Sequence, residues 1–167
     1  MGDRERLLAI YLNDHLTGAT LGVEVARRTA ASNRGDPIGE PLAAVCAEIE
    51  EDFETLKRLM GELGVRRDRF KPAMAWAGEK LGRLKPNGQL TGYSPLSRLL
   101  ELEFLSIGIA GKAELWNSLG QSFDGRLGEL DFEALMRRAE HQRDVIQELH
   151  LHAAARALPP PSPRPSS

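Results

Sequence analysis

Apolar residues recur at three- and four-residue spacing through four long segments of this chain, and no stretch alternates well enough to make a strand of comparable quality. A period near 3.6 rather than 2 predicts an all-α protein whose apolar stripes are buried against one another. Helix-opening and helix-closing residues punctuate the pattern and predict helices over about residues 3–32, 37–63, 72–84, 94–119 and 131–157. They make one domain, residues 1–158, since 167 residues with 41% hydrophobic content can build a single core. The Pro/Ser-rich stretch 159–167 has almost nothing to bury and is expected to be disordered.

Within this frame the segment from Ser94 to Leu119 is the best marked. Ser94 can accept a free amide at the helix start, and proline at position 95 suits the first turn, where an N–H would have no partner. Leu96, Leu99, Leu100, Glu103, Ile107, Ala110 and Leu115 then read as the inward stripe, which puts a carboxylate, Glu103, on the apolar side. Burying an unpaired carboxylate costs several kcal/mol. Glu103 therefore either leans to the stripe's edge and meets an Arg or Lys, or belongs to a site inside the helical core. The last helix carries a similar insertion: Leu135, Ala139, Gln142, Ile146, Leu149 and Ala153 face inward, all apolar but Gln142.

Charge is unevenly distributed. From Arg66 to Arg98 eight basic residues face only Asp68 and Glu79, a local excess of six in a chain of net charge −2. Arg66, Arg67, Arg69, Lys71, Lys80, Arg83 and Lys85 form a basic crossover that either pairs with the acidic second helix or offers a patch to an anionic lipid or RNA. The overall acidity argues against DNA as a partner. Cys46 is the one cysteine, so no internal disulfide forms, and its place on an apolar face suits packing. Neither a secretory signal nor a membrane span is visible at the N-terminus, so the cytoplasm is the expected compartment. GIAGKAEL lacks the spacing and hydroxyl of a phosphate-binding loop, GYSPL lacks the second glycine of a nucleophile elbow, and no catalytic residue emerges.

Short connections within each helix pair and a link of some 30 residues between the pairs, Gly64 to Ser94, match the connectivity of a ferritin-like four-helix bundle. The phrases AIYLNDHLTGATLGVEVARR, AEIEEDFETLKRLMGELG and GIAGKAELWNSL resemble a bacterial ferritin-like family without an established activity. The resemblance implies an up-down-down-up bundle whose long crossover carries a short extra helix. It also implies a two-metal carboxylate centre built from Glu and Glu-x-x-His, yet none of His15, His141, His150 and His152 has a glutamate three positions earlier. Asp14, His15, Asp52, Glu103 and His141 are the remaining candidates for an oxygen-rich iron or manganese site. The leading expectation is a non-catalytic bundle without a cofactor, acting as a homodimer or as an accessory subunit to another protein. The alternative is a divergent metal-binding oxidase or storage protein.

Overall fold

The computed structural model describes residues 2–67 and 93–158, and within them the protein is all-helical. Four long helices, α1 (Asp3–Ser32), α2 (Gly39–Glu62), α3 (Pro95–Ser122) and α4 (Phe132–Ala157), bury the core between them. The expected helix over 72–84, the basic residues Arg69, Lys71, Lys80, Arg83 and Lys85, and the 159–167 tail lie outside the described residues.

Local chemistry sets each boundary. At the start of α1 the N–H of Gly2 donates to the Glu5 carboxylate at 2.8 Å, so the cap lies one residue before Asp3. The turn into α2 is tight enough that a Cβ on Gly39 would stand 2.4 Å from the carbonyl oxygen of Asn33, which makes glycine obligatory there. The end of α2 closes as a Schellman motif, in which Gly64 takes φ 66° and the Val65 N–H donates to the Met60 carbonyl at 2.8 Å. Ser94 caps α3 as expected, accepting from the Ser97 N–H at 3.0 Å, and Asp131 caps α4, accepting from the Ala134 N–H at 3.0 Å. Between α3 and α4 the expected loop contains a small antiparallel ribbon, β1 (Arg126–Leu127) and β2 (Leu130–Asp131), with Arg126 opposite Asp131. It delivers Phe132 into the core beside Trp116 and Phe123.

Helix α1 packs along α2 and α3, while α4 packs along α3 and, less extensively, α2. The start of α3 and the end of α4 meet at the turn between α1 and α2, where Asp36 takes Arg98 at 3.0 Å and Arg156 at 3.5 Å. On α4 the inward positions read from the sequence, Leu135 through Ala153 with Gln142 among them, are all buried. On α2 the stripe from Leu42 to Met60 is buried with Phe53 partly exposed, and Cys46 packs into it.

Helix α3 departs from the expected phase. Its buried face runs through Leu99, Leu102, Leu105, Ile109, Leu115, Trp116 and Leu119, so Glu103 stands in solvent beside His150, 3.3 Å away. Leu96 and Ile107, expected inward, are exposed, Ile107 to 74%. The reason is that apolar residues surround α3 on nearly every side from Leu96 to Ile109, so periodicity alone admits two phases. Packing selects the one that buries Glu101 instead of Glu103. Among the described residues no helix is long and apolar enough to cross a membrane.

Candidate functional site

Two buried polar clusters join α1 and α2 to α3 and α4. The first centres on Asp52, whose side chain is 1% exposed. One of its oxygens accepts from the Lys112 ammonium of α3 and from the Gln142 amide of α4, the latter at 3.1 Å; the other accepts from the Arg138 guanidinium of α4. Lys112 also donates to the Gln142 carbonyl oxygen, and Arg138 reaches Glu51 at 2.9 Å. Each charge faces its opposite, and the amide of Gln142 donates to Asp52 while its carbonyl accepts from Lys112, which fixes the amide's orientation. Burial pushes the Lys112 ammonium below its ordinary range, with Asp52 drawing it back. For Arg138 burial acts in the same downward sense, but bonding to Glu51 and the charge of Asp52 outweigh it and raise the value.

The second cluster lies nearer the α1–α2 turn. Glu101 is 3% exposed, pairs with Arg28 at 2.8 Å, and accepts from the Thr29 hydroxyl at 2.8 Å and the Tyr93 hydroxyl at 2.9 Å. Asn33, at the end of α1, donates to Tyr93 at 3.2 Å. Burial, reinforced by the adjacent Glu101 charge, pushes the Tyr93 phenol well above its ordinary value.

Of the residues expected to hold a metal, Asp14, His15 and Asp52 border one cleft, while Glu103 and His141 lie outside it. Asp14 is exposed and His15 half-buried on α1, where His15 meets the Tyr11 ring edge-on at 4.6 Å. Burial lowers the His15 imidazole, and the charge of Asp14 partly restores it. Glu103 and His141 are exposed on α3 and α4. Only Asp52 is in the core, and Lys112, Arg138 and Gln142 occupy both of its oxygens. Among the described residues no three His, Cys, Asp or Glu side chains come together as a metal would need. These groups do not fit a two-metal carboxylate centre: the ammonium of Lys112 already supplies the positive charge that Asp52 requires.

Of the expected basic crossover, Arg66 and Arg67 are exposed after α2, and the Arg66 carbonyl accepts from the Asn13 amide at 3.1 Å. Among the described residues the acidic face of α2 meets Arg27 of α1, at 2.7 Å from Glu50, Lys57, at 2.8 Å from Glu54, and Arg138, at 2.9 Å from Glu51. Glu101, Lys112 and Arg138 are the residues that reading the sequence missed. A signal existed for Lys112, because Leu99, Leu102, Leu105, Ile109, Lys112, Trp116 and Leu119 follow one another without a gap longer than four. The stripe chosen from the sequence has to jump five residues from Ala110 to Leu115.

Beside the Asp52 cluster a cleft of about 350 Å³ opens between α1 and α3, with α2 as its floor. Asp14 and His15 stand on its α1 wall, and Phe104, Leu56 and Trp116 line it along with Lys112. Comparison with protein-family models, curated proteins and solved structures finds no match to this chain.

Proposed function

We propose that the chain is a non-catalytic helical scaffold, a four-helix bundle of ferritin-like, up-down-down-up connectivity, which acts through self-association or as an accessory subunit and works without a metal. The observation that carries this reading is the Asp52 cluster. A carboxylate at the centre of the helices is neutralised by Lys112 and Arg138, and Gln142 completes its hydrogen bonding, so the chain provides its own cation where a metalloprotein of this connectivity would recruit one. Exposed Leu7 and Ile10 on α1 and Ile107 on α3 supply apolar surface for association.

Elemental analysis of protein produced in iron- and manganese-replete medium tests the reading, together with sedimentation equilibrium. Well below one metal per chain and a concentration-dependent dimer are the expected results. Stoichiometric iron or manganese that is lost in an Asp52→Asn variant would overturn it in favour of a divergent oxidase or storage protein.

A further inference from the structure

We propose that the cleft between α1 and α3 is a binding site for a small, uncharged, largely apolar molecule that carries a hydrogen-bond-accepting oxygen. Its volume of about 350 Å³ lies within the range of small-molecule pockets. Its walls are made of glycine where helices ordinarily avoid it: Gly18 and Gly22 on α1 and Gly108 and Gly111 on α3 line the space. Glycine is the poorest helix former after proline, and inside a helix it is commonly retained to let a neighbour approach closely. Among the described residues no neighbour uses that room, since a Cβ built on any of the four meets no described atom within 4 Å. The four glycines leave room in the cleft that no described residue fills.

The α3 wall supplies the polar handle. Trp116 lines the cleft but is only 1% exposed, and its indole N–H is itself buried, so it is not offered to a molecule in the cleft. Lys112, also in the lining, donates to Asp52 and Gln142, and an ammonium has three N–H bonds to give. Lys112 is a donor, so a molecule that bonds to it must accept. The charges of Asp52, Glu51, Lys112 and Arg138 cancel, while Glu48 near Lys112 and Asp14 at the wall each add a negative charge, which disfavours an anion. An uncharged carbonyl compound with an aromatic or aliphatic body meets these conditions.

The test uses 6-propionyl-2-dimethylaminonaphthalene, an uncharged naphthyl ketone whose emission shifts to the blue in apolar surroundings, titrated into the full chain. A Trp76→Phe background leaves Trp116 as the one indole. Saturable binding of one probe per chain, with a blue shift and quenching of Trp116, is expected. Gly108→Leu and Gly22→Leu fill the cleft from opposite walls with a better helix former, so each should keep its helical signal and weaken the probe at least tenfold. No saturable binding to the Trp76→Phe chain would overturn the proposal, as would undiminished affinity in a folded variant of either kind. If a second copy of the chain covers the cleft instead, the probe does not bind and both leucine variants dissociate the dimer, which also overturns it. The metal analysis above is independent of all these outcomes.

Discussion

Replacing Lys112 by methionine isolates the energetic role of the buried cluster. Methionine keeps most of the side-chain volume and removes the charge, leaving Asp52 with Arg138 on one oxygen and the Gln142 amide on the other. Deleting one partner of a buried ion pair costs about 3–5 kcal/mol, because the other charge stays desolvated. Since Arg138 remains, the lower end applies, about 3 kcal/mol. In a chain of this size each kcal/mol moves the melting midpoint by about 2–4 °C, so a fall of roughly 6–12 °C is expected. Adding Asp52→Leu removes the stranded carboxylate, while Arg138 keeps Glu51 at 2.9 Å. The double variant should therefore recover at least about 1.5 kcal/mol relative to the sum of the single changes. Urea unfolding followed by circular dichroism at pH 7, with thermal melts alongside, measures both quantities. A Lys112→Met variant within about 0.5 kcal/mol of the parent, or strictly additive single changes, would refute the view that these charges depend on one another.

The two glutamates of α3 give a paired comparison by the same unfolding assay: Glu101→Leu strands Arg28, Thr29 and Tyr93 and should cost about 3 kcal/mol, whereas Glu103→Leu at the exposed position should stay within about 0.5 kcal/mol. His15 supplies a pH signature. Its folded value lies below the ordinary 6.5, so the unfolded chain binds more protons in that interval; the His15 contribution is intact above pH 6.5 and is lost as the pH falls through the folded value, a slope that His15→Asn should remove from stability measured between pH 7.5 and 5. Gly39→Ala drives a methyl group against the Asn33 carbonyl and should cost at least about 1 kcal/mol, where most glycine-to-alanine changes inside a helix are favourable; a neutral result in a thermal melt would show that the α1–α2 turn gives way.

How much of this could be read from the residues depends on how one-sided each helix is. Most of the large apolar residues on α4 fall on one stripe, with Leu151 the exposed exception, so Leu135 to Ala153 and the buried Gln142 were legible, and the caps Ser94 and Asp131 follow from side chains that act on their own neighbours. Apolar residues almost encircle α3, and its rotation is decided by Arg28 and Thr29 on another helix, which hold Glu101 inside. Local sequence carries no record of such a partner. For Asp52 the position was legible and its meaning was not, because the same buried carboxylate serves a metal or an ion pair. The difference lies in Lys112 and Arg138, on helices that only the fold brings to it.

The buried and half-buried charge pairs share one property of placement: Arg28 with Glu101, Asp52 with Lys112 and Arg138, and Asp36 with Arg98 each link the first helical hairpin to the second. Hairpins with short loops assemble from local contacts and need none of these pairs, so the pairs form when the hairpins dock. Apolar ridges alone would tolerate sliding by a turn, about 5.4 Å. Such a slide would strand every one of these charges at once. The charges thus act as a register key for docking, and removing them is expected to accelerate unfolding far more than it slows folding, which stopped-flow chevrons on Lys112→Met would reveal.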